Sequence, residues 1–268
     1  MKKILTVLFL SSMMLFAYTD MDLDGVDDSV DKCPNTPITD LVDANGCSIK
    51  SVISEQHFDI IFGVSYSDLN YRYNERTDTY TSTVQIDYYK DAFSLQLSTS
   101  YFRSDSSSYD DSGLNDTTVA AYYRFKPLPN LTINAGAGVI FPTYDAELGN
   151  NNTDYTASVN FSYAINNSNI FAGYNFTLVG DDDVDTVQYQ NTNAFSVGAG
   201  YYFTPKLYAS LSYYRADSIY KSVEDIENVS IYTFYSIDAN WFVTANFAKG
   251  LSDSTSDDYV ALRIGYYF

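Results

Sequence analysis

Positive charge is scarce in this 268-residue chain: 15 lysines and arginines stand against 34 aspartates and glutamates, a formal charge of −19. Nucleic-acid binding needs a basic footprint, so that class of partner is excluded. Past residue 17 no stretch offers 18 consecutive apolar residues, which removes any later membrane-spanning helix. A closed barrel, which also satisfies every backbone group internally, is still allowed. Histidine and tryptophan occur once each and cysteine twice. Tyrosine and phenylalanine, in contrast, number 27 and 17, in a background of Ser, Thr and Asn that favours strands over helices.

The chain opens with Lys2 and Lys3, continues through an apolar stretch from Ile4 to Phe16, and reaches a small residue at Ala17. That is the layout of a secretory leader, with cleavage expected after Ala17, and the stretch is too short to span a bilayer as a helix. Loss of the two leader lysines takes the formal charge from −19 to −21.

Residues 18 to 55 form a separate segment. Asp20, Asp22, Asp24, Asp28 and Asp31 fall at positions 1, 3, 5, 9 and 12 of a loop with Gly25 at position 6. This spacing wraps carboxylate oxygens around a hard cation, with the carbonyl of Val26 at position 7. Asp31 replaces the usual glutamate and no amphipathic helices flank the loop, so it is not an EF-hand pair. An acidic, solvated linker is the alternative, although linkers do not keep every second residue acidic around a fixed glycine. Downstream come Cys33-Pro34-Asn35-Thr36-Pro37 and Asp43-Ala44-Asn45-Gly46-Cys47. From Asp20 to Cys47 the stretch resembles a thrombospondin type 3 repeat of the kind found in OmpA-family outer-membrane proteins. The resemblance implies calcium held by Asp20, Asp22, Asp24, Asp28 and Asp31. The peptidoglycan-binding domain that usually follows the repeat in that family has no counterpart in these residues, so anchoring is not implied. Two cysteines in a short exported loop read as one disulfide, Cys33 to Cys47, with a metal or redox pair as the alternative.

From residue 56 to 268 the pattern changes to alternation with period two, the signature of strands. Phe58, Ile60, Phe62, Val64 and Tyr66 share one face, with Asp59, Ile61, Gly63, Ser65 and Ser67 opposite. Twelve such segments start near residues 57, 79, 92, 117, 131, 153, 169, 192, 206, 227, 241 and 258. Tight connections at Lys90-Asp91, Pro127 to Asn130, Asn166 to Asn169, Thr204 to Lys206 and Asp238 to Asn240 alternate with longer acidic ones. The expected fold is therefore all-β, a twelve-stranded antiparallel transmembrane barrel in a bacterial outer membrane, with both ends of the barrel domain and the calcium segment on the periplasmic side. A soluble sandwich would carry Lys and Glu on its polar face. Here that face is Ser, Thr, Asn, Gly and Tyr, which suits a lumen, so lipid is the partner of the apolar face. Aromatic pairs such as Tyr122-Tyr123, Tyr201-Tyr202 and Tyr213-Tyr214 stand where interfacial girdles belong.

The last segment alternates Val260, Leu262, Ile264, Tyr266 and Phe268 with Tyr259, Ala261, Arg263, Gly265 and Tyr267. It resembles the C-terminal signal by which barrels reach the outer-membrane insertion machinery, with Tyr266 and Phe268 as its aromatic positions. No catalytic residue is expected: a lipid-hydrolysing barrel needs a histidine beside a serine within a strand, and His57 sits at a strand start as an interfacial residue. Gly136, Gly138, Gly198 and Gly200 are expected to relieve crowding inside the barrel. The charged residues assigned to the inner face are Asp59, Asp87, Arg124 and Arg263, which either form a solute-selecting constriction or pair and close the lumen. Asp181, Asp182, Asp183 and Asp185 fall in an outer loop, solvated or bridging through cations. The leading expectation is a non-enzymatic, porin-like channel for small polar solutes; a closed adhesive barrel and, behind it, a lipid-modifying barrel enzyme are the alternatives.

Overall fold

A computed structural model describes residues 31–33, 45, 56–71, 75–107, 110–144, 152–183 and 187–268. The chain divides into two units, Met1–Ile53 and Ser54–Phe268. In the first unit the amide of Lys32 donates to the carbonyl of Asn45 at 2.8 Å, and the Cys33 amide donates to Asp31 Oδ1 at 2.8 Å. Cys33 is not a free thiol. Asp20, Asp22, Asp24, Val26, Asp28 and Cys47, on which the expected calcium loop and disulfide depend, lie outside the described residues.

The second unit is one antiparallel sheet of thirteen strands. They are β1 (Gln56–Tyr71), β2 (Glu75–Lys90), β3 (Phe93–Asp105), β4 (Asp110–Leu114), β5 (Thr117–Leu128), β6 (Leu131–Phe141), β7 (Asp154–Ile165), β8 (Ser168–Leu178), β9 (Thr192–Thr204), β10 (Leu207–Ala216), β11 (Ile226–Ser236), β12 (Trp241–Gly250) and β13 (Asp258–Tyr267). Except for β4 and β5, each strand pairs with its neighbours in sequence, and β1 pairs with β13 from Asp59↔Tyr267 to Asp68↔Asp258, which closes the sheet into a barrel. Strands β4 and β5 both pair with β3, on its stretches Tyr101–Asp105 and Phe93–Ser98, so they share one place in the wall. The barrel thus has the expected twelve strand positions, the fourth of them broken at Asn115 and Asp116. Closure pairs the spanning strands on both sides and so satisfies their backbone groups, leaving an open edge only at the short strand β4 among the described residues. Among the described residues no helix is long and apolar enough to cross a membrane, which says nothing about crossing with strands.

What the barrel lacks is a conventional core. Among the described residues no large side chain is fully buried, and the buried apolar set is mostly alanine. The large apolar side chains point outward instead: Phe62, Val64, Phe195, Val197, Leu211 and Leu262 are each more than half exposed. A soluble monomer rarely exposes an apolar patch of more than a few hundred Å². Each such side chain gains about 1.5–3 kcal/mol when it leaves water completely, so a wall of them requires an apolar solvent.

Near the tight turns this outer wall carries a girdle of rings. Phe58 lies 4.9 Å from Tyr88 and 5.6 Å from Phe268, Trp241 is 4.8 Å from Tyr266, and Tyr201 is 5.0 Å from Phe203. Aromatic side chains with one polar edge suit the boundary between hydrocarbon and water. Period-two geometry sends only one member of each tyrosine pair outward: Tyr123, Tyr201 and Tyr213 face out, whereas Tyr122, Tyr202 and Tyr214 face the lumen.

At the opposite end the outward positions turn from apolar to charged. Asp78, Asp68, Asp258 and Lys249 are successive cross-strand neighbours. Arg76 reaches Asp78 at 2.9 Å and Asp68 at 3.3 Å, and Lys249 reaches Asp258 at 3.1 Å. Ion pairs made by exposed cations add little to stability, so their meaning is positional: the strands here have left the hydrocarbon. Two of the tight turns place a residue in the left-handed region, Asp91 at φ 53° and Asn166 at φ 52°, the residue types that tolerate it best after glycine.

The long connections at the charged end are partly ordered against one another. The segment after β8 and the segment after β10 meet in an antiparallel bridge between Tyr189 and Tyr220, flanked by Gln190 N–H to Ile219 O and Lys221 N–H to Gln188 O, both 2.9 Å. Asp183, expected in a solvated loop, accepts from the Tyr189 amide at 2.8 Å and lies 3.7 Å from Lys221. Burial and the nearby Asp154 hold the Asp181 carboxyl above the usual carboxylate range. Asp185 lies outside the described residues.

Candidate functional site: the lumen

Alternation that turns Phe58, Ile60 and Phe62 to lipid turns Asp59, Ile61 and Gly63 inward. On β2 the same rule turns Gln85, Asp87 and Tyr89 inward, and the register sets Asp59 directly opposite Asp87. Asp87 is only 4% exposed, and its carboxylate accepts from Gln85 Nε2 at 2.8 Å and Gln96 Nε2 at 3.1 Å. Arg263 enters from β13: its Nη1 donates to Gln85 Oε1 at 3.3 Å. Its stem lies over Gly63, where an added Cβ would come within 2.9 Å of Arg263 Cγ.

Asp59, Asp87 and Arg263 thus line one cavity of about 400 Å³, together with Gln85, Asn246 and Tyr232. Among the described residues none of the three charges forms an ion pair within 4.0 Å; they face a shared space without closing it. Two oxygens of that cavity, Asp59 Oδ1 and Asn246 Oδ1, are buried and have no hydrogen-bond partner. The fourth inner charge, Arg124, faces inward opposite Asn134 on β6 but is exposed near the turn end and does not line the cavity.

Around this level the inner wall is faced with aromatic rings seated on glycines. A Cβ at Gly136 would collide with the Tyr122 ring, one at Gly198 with Phe171, one at Gly200 with Tyr208, and one at Gly265 with Phe242. Three of these pairs sit directly across from each other in register: Tyr122↔Gly136, Phe171↔Gly198 and Phe242↔Gly265. A ring that covers a glycine lies against the wall, so the glycines keep the passage wider than the same aromatics would otherwise leave it. Tyr208 continues into a polar relay, with its hydroxyl donating to Asn169 Oδ1 at 3.0 Å and Asn169 Nδ2 donating to Ser162 Oγ at 3.1 Å.

His57, expected at the lipid interface from its place at a strand start, instead faces inward. Its ring centroid is 4.5 Å from both Tyr89 and Tyr267. Position 57 shares the parity of Asp59, which decides its direction. Gln85, Gln96 and Asn246 carry no mark in the sequence, because uncharged amides look alike on either face of a strand. Parity alone would have put the rings of Tyr122, Phe171 and Phe242 on the glycine face.

The fold is that of an outer-membrane porin barrel. It superimposes on the KdgM porin with a TM-score of 0.53 at 11% identity, covering 78% of this chain and 99% of that one. The NanC porin gives a TM-score of 0.49 at 13% identity, covering 79% and 98%. In sequence, 44 residues are 48% identical to outer membrane porin F of Pseudomonas aeruginosa, a match that covers 16% of this chain and 13% of that protein. A family model described as the putative MetA-pathway of phenol degradation matches residues 62–268. That span takes in the barrel from the middle of β1 to the last residue, and by it the chain belongs to this family.

Proposed function

We propose that the protein is a non-enzymatic channel of the bacterial outer membrane, passing small polar solutes through the lumen of its barrel. The observation that carries the reading is the cavity of about 400 Å³ in which Arg263 faces Asp59 and Asp87, with no ion pair among them. In a dry, closed lumen unpaired charged groups are costly to bury. Water filling a passage solvates them and removes the need to pair. The family's description widens the range of candidate solutes to phenolic compounds.

In this reading β1 and β13 carry the chain ends to the periplasmic rim, and residues 18–55 sit in the periplasm. Asp20, Asp22, Asp24, Asp28, Asp31 and the Val26 carbonyl hold calcium, and Cys33 is bridged to Cys47. The spacing of the aspartates and the absence of a free thiol at Cys33 support this. Tyr266 and Phe268 carry the signal read by the insertion machinery, and their outward direction leaves them accessible to it. Planar-bilayer recording of the refolded chain tests the central claim. Discrete conductance steps are expected, and a silent membrane at every voltage and salt concentration would refute transport.

A further inference from the structure

Three of the long connections at the charged end meet over the mouth of the lumen. On one side, Phe102 points inward from β3, the third of the twelve wall positions, and is only 7% exposed. The Tyr144 ring, from the connection after β6, stacks on it with centroids 5.6 Å apart. Tyr144 is held there by its amide, which donates to Asp116 Oδ1 at 3.0 Å, and by Thr143 Oγ1, which donates to Asn115 O at 2.8 Å. On the other side, Tyr220 lies between β10 and β11, the ninth and tenth positions, nearly opposite Phe102 around the barrel. Its ring is 5.4 Å from that of Tyr189, its bridge partner in the connection after β8. Gln190 Nε2 donating to Ser218 O at 2.8 Å and the ion pair of Lys221 with Asp183 tie the same two connections together.

The two sides reach toward each other instead of folding back on the wall. A cavity of about 590 Å³ separates Ile219, Tyr220 and Val223 from the inner face of β10 at Tyr214 and Ala216, so this segment stands over the lumen. Burial raises the pKa of the Tyr144 hydroxyl above its usual value, and Asp111, Tyr220 and Asp116 raise it further. Asp181, after β8, is raised by burial, by Asp154 and again by Asp116. Strands about 4.8 Å apart and tilted about 40° make a twelve-position wall roughly 24 Å across between backbones. Charges are screened beyond about 10 Å, so groups rooted this far apart on the wall influence one another only where their connections span the gap.

We propose that Phe102, Tyr144, Tyr220 and Tyr189 form a crossbar that divides the outer mouth and sets the upper size of the solutes that enter. The proposal rests on the channel reading for the passage itself, and it adds where size is limited. Rings and paired backbone act on size at this level; Asp59, Asp87 and Arg263, elsewhere in the lumen, act on charge.

The test uses the full chain in liposomes and follows osmotic swelling as uncharged solutes enter, from glycerol through a hexose to a trisaccharide. Wild type is expected to admit glycerol and to pass the trisaccharide poorly. Tyr144→Ala combined with Tyr220→Ala should raise the trisaccharide-to-glycerol ratio severalfold. Both residues lie outside the barrel ladder, and retained glycerol uptake shows that the barrel has formed. A second variant combines Tyr189→Cys with Tyr220→Cys. The flanking bonds, Gln190 N–H to Ile219 O and Lys221 N–H to Gln188 O, make these two the non-hydrogen-bonded pair of the bridge, with Cα atoms about 4.5 Å apart and within the span of a disulfide. Oxidation, which joins the two connections, should keep the ratio low, and reduction should raise it, with wild type under the same reductant as the control for the native cysteines. The same ratio in every form, or a wild type that passes the trisaccharide freely, overturns the crossbar and leaves the channel standing. No uptake of any solute by any form overturns the channel, and the role of the crossbar with it.

Discussion

Replacing Arg263 by Met removes the one positive charge that lines the 400 Å³ cavity and leaves Asp59 and Asp87 facing it. Methionine keeps much of the stem that lies over Gly63, so the wall shape changes little. In water a unit charge about 6 Å from a passing ion is worth about 0.7 kcal/mol, or about threefold in local concentration. Cations gain that factor and anions lose it, so the cation-to-anion permeability ratio should rise about tenfold. Low-dielectric walls would enlarge the effect and salt would shrink it, because the screening length is about 10 Å at 0.1 M. The measurement is the reversal potential of single channels across a potassium chloride gradient, for the wild type and Arg263→Met. Arg124→Met is the control: Arg124 is exposed near the rim and does not line the cavity, and a smaller shift is expected there. A reversal potential unmoved by Arg263→Met, or moved toward anion preference, would show that this cavity is not on the ion path.

Gly265→Val should force the Phe242 ring off the wall and into the lumen. Overpacking of this kind costs about 1–3 kcal/mol, so lower single-channel conductance and a lower unfolding midpoint are expected; an unchanged conductance would contradict the seating of rings on glycines. The Asp238 carboxylate accepts the amides of Asn240 and Trp241, both at 2.8 Å, which depresses its pKa below the usual carboxylate range. Its contribution to stability is therefore complete above the unfolded carboxylate value near about 4 and is lost as pH falls through the lower folded value. Asp238→Ala should accordingly destabilise the barrel at neutral pH, with the difference from wild type closing in strong acid, as followed by denaturant unfolding at several pH values. Calorimetry of the full chain in detergent should show heat on adding calcium that disappears in the Asp22→Ala, Asp24→Ala double variant; equal heats from both chains would remove the metal from the N-terminal segment.

Strand positions are legible in the sequence because the alternation is written in residue size as well as polarity. Segments expected to start near 117, 131, 153, 169, 192, 206, 227, 241 and 258 begin within a residue or so of those positions. Strand β2 begins earlier than expected, at Glu75 and not near residue 79. There the wall rises out of lipid, and Arg76 and Asp78 interrupt the apolar pattern that would have marked it. Strand β4, Asp110–Leu114, is too polar to read as anything but loop, and only its pairing with β3 makes it a strand. In the lumen, charge is easy to follow along the chain and amide chemistry is not, so the sequence points to Asp59, Asp87 and Arg263 without the glutamines that hold them. The bridge between Tyr189 and Tyr220 is invisible for another reason: it joins two long connections, and a single loop-to-loop pairing has no periodicity to betray it.

The seam of the barrel exchanges hydrogen bonds between Phe58 and Phe268, at 2.9 and 3.0 Å. A ribosome makes these partners at opposite ends of the domain, so the cylinder cannot be completed while β13 is still unmade. Until then the nascent chain presents two bare strand edges, and the contacts that cure them are among the most distant in sequence, which makes them slow to form. Sealing the cylinder therefore waits on synthesis of the whole domain, however early its other strands meet.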